Sequence, residues 1–167
     1  MKYRSTLGLL LLNLGLISCG RNELIDVTKE PSPSGLQFPY VIEPDFQPYY
    51  DRFYSDIGLN PNNIPIKFNK LDKNIVGICY IYPDGKTRIE IDTDFWNRSS
   101  DLAIEQVIFH EIGHSFGLDH NDNRIEKDSF SMPESIMYPS AFGSSIYYEL
   151  YHDYYMEELK KELKILE

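Results

Sequence analysis

Three histidines and a glutamate fall within the eleven residues from His110 to His120, which read His-Glu-Ile-Gly-His-Ser-Phe-Gly-Leu-Asp-His. His110 and His114 are four residues apart, so a helix stacks both rings on one face, one turn apart. Glu111 lies beside them, where it can reach a water on a bound metal without displacing it. Gly117 can take the left-handed conformation that ends a helix and turns the chain. The turn would return His120 as a third ligand. Three protein nitrogens with a fourth position left open form the donor set of a catalytic rather than a structural zinc. Such an ion is a Lewis acid and lowers the pKa of its water, and Glu111 would take the proton and deliver it to the leaving group. The spacing fixes five positions, and chance would produce it in a chain of this size with a frequency on the order of 10⁻⁵. The chain has only four histidines, and three are in this stretch. The fourth, His152, reads as ordinary.

This extended motif resembles that of the metzincin zinc peptidases. A tight turn carrying a methionine should follow, and Ser135-Ile136-Met137-Tyr138-Pro139 fits, with Met137 as the Met-turn residue. Both stretches look most like the matrixin branch. The resemblance implies a compact α+β fold: a small twisted sheet, a backing helix, an active-site helix, the Met-turn and a C-terminal helix. It implies one catalytic zinc on His110, His114 and His120, and endopeptidase activity on extended peptide. Such a peptide would add antiparallel to an exposed sheet edge, expected along Val76, Gly77, Ile78, Cys79 and Tyr80. The implied pocket wall is Pro139, Ser140, Ala141 and Phe142, and Asp153 would buttress the Met-turn. Some features depart from the matrixin pattern. No histidine occurs between residues 38 and 109 to hold a second, structural zinc, and the loop from His120 to Met137 is long. Cys79 is not in the Pro-Arg-Cys context of the matrixin latency switch. Asp119, Asn121 and Asp122 invite a calcium reading, but the glycine and distal glutamate of the helix-loop-helix calcium pattern are missing, so calcium is the weaker expectation.

The front of the chain has its own pattern. Lys2 and Arg4 precede a short apolar run from Thr6 to Ile17, and Leu16-Ile17-Ser18-Cys19 looks like a bacterial lipobox. That run is too short to span a bilayer, so residues 1–18 are expected to be a lipoprotein signal peptide, with Cys19 as the lipidated residue. Gly20 follows in place of an aspartate, which favours an outer-membrane destination. Residues 19–37 hold Pro31, Ser32, Pro33, Ser34 and Gly35 and read as a tether, leaving 38–167 as the catalytic domain. Cys79 then has no disulfide partner and should pack as a small buried hydrophobe. Loss of Lys2 and Arg4 leaves 14 basic residues against 26 acidic, a net charge of −12. That balance argues against nucleic acid and against an electrostatic hold on anionic lipid. A monomer is expected, with contact to the membrane through the lipid alone.

The elements that must position the histidines are legible in outline. Pro39 to Ile42 reads as a short strand. Phe46, Tyr49, Tyr50, Phe53, Tyr54 and Ile57 recur at helical spacing up to Gly58. Strands are expected at Ile64–Phe68, Ile75–Tyr82 and Arg88–Asp92, with Phe95 as an alternative end of the last. Pro83-Asp84-Gly85-Lys86 forms the hairpin between the second and third. Arg88-Ile89-Glu90-Ile91-Asp92 alternates, which predicts one buried face and one wet face. Ser99-Ser100-Asp101 supplies cap chemistry for a buried helix from Leu102 to Phe116. Residues 121–135 read as loop, and a single amphipathic helix follows from Ser145. Two other classes stay open on the residues: an inactive binding or adhesion lipoprotein, and a zinc amidase acting on a non-protein amide. Retention of Glu111 argues against the first, since chemistry needs it and metal binding does not.

Overall fold

A computed structural model describes residues 41–72, 74–142 and 146–164. The expected signal peptide, the expected lipidation site Cys19 and the expected tether lie outside the described residues, as do Pro39 and Tyr40 of the expected first strand. Ile42 forms a single parallel bridge with Ile66.

The chain is mixed α+β. A 3-10 turn at Pro44–Phe46 leads into helix α1 (Gln47–Ile57), which ends where Gly58 takes φ 88° and its N–H donates to the Tyr54 carbonyl. Tyr49, Tyr50, Phe53 and Ile57 of α1 are buried, each contributing about 1.5–3 kcal/mol by leaving water. Strands β1 (Ile66–Asn69), β2 (Gly77–Ile81) and β3 (Thr87–Asp92) form a sheet in the order β1-β3-β2. β1 runs parallel to β3 and β2 antiparallel to it, with Gly77 opposite Ile91 and Cys79 opposite Ile89. β2 is therefore an edge strand. Its hairpin closes at Gly85, φ 78°, whose N–H donates to the Tyr82 carbonyl.

β3 takes the nearer of its two expected ends, and its expected wet face is corrected. It stops at Asp92, whose carboxylate accepts from the Phe95 N–H at 2.7 Å and so caps a short helix, α2 (Thr93–Arg98). Nor does it have a wet face: Glu90 is 2% exposed. As the central strand, β3 is covered by its neighbours, with Lys67 and Arg88 paired to the Glu90 carboxylate and Asn69 and Tyr80 donating to it. These partners hold the carboxyl below its usual range against the opposing effect of burial.

Helix α3 (Asp101–Ser115) starts at Ser100, whose Oγ accepts from the Ala103 N–H, and is buried almost all round. It lies against β2 and β3 on one side and α1 on another. Residues 121–135 are not loop alone. They contain a hairpin, β4 (Arg124–Lys127) and β5 (Phe130–Pro133), turned at Asp128 and Ser129 with φ of 50° and 70°. The expected single C-terminal helix is two, α4 (Ile146–Leu150) and α5 (His152–Glu162), broken at Tyr151. Among the described residues, no helix is long and apolar enough to cross a membrane.

Candidate metal centre

The last turn of α3 and the chain leaving it build the site. Gly117, φ 90°, donates to the His114 carbonyl, and the Leu118 N–H donates to that of Gly113 at 3.1 Å. These two bonds are the Schellman pair that closes a helix on a left-handed residue. The closure turns the Leu118 carbonyl back to accept from His114 Nδ1 at 2.7 Å. His110 Nδ1 donates in the same way to the Ile136 carbonyl at 2.9 Å. With the Nδ1 proton committed in each ring, Nε2 of His110 and of His114 carries a lone pair and no hydrogen.

Those lone pairs meet. Nε2 of His110 is 3.0 Å from Nε2 of His114, and Nε2 of His120 is 3.2 Å from both. Two acceptors at that distance cannot bond to each other, so the arrangement calls for a shared electrophile. The three nitrogens form a group that could hold a metal ion. His110 and His114 are buried and His120 is half-buried. Burial depresses all three basicities. His110 falls well below the ordinary 6.5, with His114 adding to the effect, and His120 falls to about 4. The rings are thus neutral at pH 7, the state in which imidazole ligates metal.

Glu111, 3% exposed, is held between α3 and the edge strand β2. Cys79, on β2, is half-buried with Sγ 3.2 Å from Ser115 Oγ, and its thiol is pushed up to about 12 by burial, with Glu111 adding to the shift. It packs as a small side chain, half-buried where full burial was expected.

Met137 is fully buried. A Cβ at Gly113 would lie 2.6 Å from its sulfur, so the missing side chain of Gly113 lets the Met137 thioether rest on α3 one residue before His114. The turn is tied by Tyr138 N–H to the Ser135 carbonyl and Met137 N–H to Ser135 Oγ. The Met137 carbonyl accepts from Asn121 N–H at 3.0 Å, which joins the turn to the residue after His120. One four-residue turn thereby fixes His110 through the Ile136 carbonyl and anchors the segment carrying His120.

Asp153 does not buttress that turn, because its side chain is fully exposed. Residues one and two turns further along α5 do so. The Glu158 carboxylate accepts from Ile136 N–H and that of Glu162 from Ser135 Oγ, each at 3.4 Å. Tyr154 and Tyr155 hydroxyls donate to the Glu134 and Pro133 carbonyls. No sequence pattern marked Ser135, Glu158 or Glu162 in these roles. Of the expected pocket wall, Pro139, Ser140 and Ala141 are half-buried, while Phe142 packs into the core against Tyr148 and Tyr155. A cavity of about 770 Å³ lies elsewhere, lined by Asn121, Glu134, Tyr154 and acidic residues of α5, and reaches the histidines only through Asn121, the neighbour of His120. His152 is paired with the buried Glu105 and takes no part in the site.

No protein-family model, curated protein or solved structure matches this chain.

Proposed function

We propose that the chain is a zinc-dependent endopeptidase of metzincin-like build, with His110, His114 and His120 as ligands and Glu111 as general base. The observation that carries this reading is the convergence of three Nε2 atoms, each 3.0–3.2 Å from the next. Tetrahedral zinc with nitrogens at about 2.0–2.1 Å sets them about 3.3–3.4 Å apart, so the donor set needs only a few tenths of an ångström of adjustment. Hydrogen bonds from Nδ1 to Ile136 and Leu118 fix tautomer and ring orientation, as outer partners do for ligating imidazoles. Contact of Met137 with Gly113 and the helix-strands-helix order support the metzincin-like build.

Zinc bound there would supply Lewis acidity to a scissile carbonyl and to water. The chain's own groups do the rest. The Glu111 carboxylate accepts the proton of the attacking water and releases it to the leaving amine nitrogen. An extended substrate would pair by main-chain hydrogen bonds with the β2 edge from Gly77 to Tyr80, which favours affinity over sequence selectivity. Pro139, Ser140 and Ala141 would line the side-chain pocket. Export as a lipoprotein anchored at Cys19, toward the outer membrane, belongs to the same reading. It is tested by incorporation of labelled fatty acid that Cys19→Ala abolishes.

The test of the reaction class is hydrolysis of an unfolded protein by residues 20–167 carrying one zinc. Cleavage that a chelator stops and zinc restores supports the proposal. Zinc bound with no hydrolysis of protein, but turnover of small non-peptide amides, would put the amidase in its place.

A further inference from the structure

Gly77 opens the edge strand β2 without a backbone reason to be glycine. Its φ is not in the left-handed region, where Gly58, Gly85 and Gly117 lie. It pairs regularly with Ile91 and is buried. Glycine inside a strand loses entropy and offers nothing to pack, so its presence there marks a close approach. The approaching group is Glu111. A Cβ on residue 77 would lie 2.7 Å from Glu111 Oε1, 3.0 Å from Glu111 Cγ and 3.0 Å from Val107 Cγ1. Val107, Glu111 and Ser115 recur every four residues along α3 and form one row. Gly77 and Cys79 form the facing row of β2, with Cys79 Sγ meeting Ser115 Oγ.

We infer that Gly77 is a positioning residue: its bare Cα is the seat that lets the Glu111 carboxylate lie between α3 and the edge strand. The inference rests on the reading of Glu111 as the general base and deepens it. One strand then serves two tasks. Its outer edge offers main-chain groups to an extended peptide, and its inner face fixes the carboxylate that must meet the water attacking that peptide. Base and substrate are referred to the same backbone, so their separation does not depend on a loop. A side chain at residue 77 displaces the carboxylate while leaving the imidazoles where they are: His110 and His114 are held from Ile136 and Leu118, and the segment carrying His120 is tied to the Met137 carbonyl through Asn121.

The experiment is a thermal-unfolding cycle on zinc-loaded residues 20–167, comparing Gly77→Ala, Glu111→Ala and the double variant, with zinc affinity by chelator competition and steady-state kinetics on a cleaved peptide. Gly77→Ala is expected to lower Tm by about 5–10 °C, as overpacking does. Most of that loss should vanish in the Glu111→Ala background, and zinc affinity should stay within about threefold. Its kcat should fall about 10–100-fold with KM within about twofold, as expected for a misplaced catalytic group. Additive Tm losses would overturn the inference, as would relief by Val107→Ala in place of Glu111→Ala, or unchanged kcat. If Gly77→Ala alone does not fold, folding regained in the double variant supports the inference and failure to regain it overturns it. Absence of cleavage by the parent sinks the peptidase reading, and the Tm cycle still decides this one.

Discussion

Replacing Glu158 by glutamine should make the protein more stable at alkaline pH and leave it nearly unchanged at mildly acidic pH. Glu158 lies on α5 beneath the Ser135–Tyr138 turn, accepting from Ile136 N–H, with Glu162 one turn away. Burial, reinforced by Glu162, pushes its carboxyl from the ordinary 4.5 up to about 8. Glu134, Tyr154, Glu157 and Lys161 line the same hollow, and only Lys161 carries compensating charge. The folded chain therefore holds a proton that the unfolded chain has released between pH 4.5 and about 8. Over that window the unfolded state binds fewer protons, so stability falls as pH rises and is flat above it. The full gap corresponds to about 5 kcal/mol. Solvent still reaches Glu158 in part, and that screening reduces the expected cost to about 1–3 kcal/mol. Glutamine mimics the protonated acid and cannot ionise. Urea unfolding followed by circular dichroism, parent against Glu158→Gln, should give equal stabilities near pH 5 and a variant about 1–3 kcal/mol more stable at pH 9. Protonation of the histidines is common to both proteins and cancels. A difference that does not change with pH, or a parent that is the more stable at pH 9, would refute the reasoning.

Two further outcomes follow from the site. His120→Ala removes one of three converging nitrogens and should weaken zinc binding by more than about 100-fold in chelator competition, beyond the loss usual for an outer partner. Gly113→Ala drives a Cβ to 2.6 Å from the buried Met137 sulfur and should cost about 1–3 kcal/mol in urea unfolding, with broader amide signals around residues 135–138.

The features legible in the sequence are those written in local patterns. The three-and-four spacing from Phe46 to Ile57 with Gly58 behind it gave α1, and Ser100 before an apolar run gave α3. The histidine spacing with Gly117 was legible because a helix and one left-handed residue return the chain toward its own last turn, while the bonds from Ile136 and Met137 that complete the geometry come from far along the chain. What escaped depends on contacts distant in sequence. Glu90 alternates as a solvent-facing residue does, and it is buried because β3 lies between two strands whose long side chains fold over it. The β4–β5 hairpin turns on Asp128 and Ser129 at positive φ, without the asparagine-glycine or aspartate-glycine pair that would have marked it. Periodicity continues across Tyr151, so the break between α4 and α5 has no pattern of its own. Gly77 and Gly113 look like weak points in a strand and a helix, and only the facing Glu111 and Met137 show that both are fitted to a neighbour. Asp153 was expected beneath the Met-turn, but helical phase brings Glu158 and Glu162 there instead.

On the proposed function, three imidazoles and Glu111 make a peptide-hydrolysing site. Its most direct test is a mixed peptide library incubated with zinc-loaded residues 20–167 and, in parallel, with the Glu111→Ala variant, with products read by mass spectrometry. New termini are expected from the parent, none above background from the variant, and one zinc bound by each. Identical cleavage by both, or silence from both with zinc in place, would contradict it.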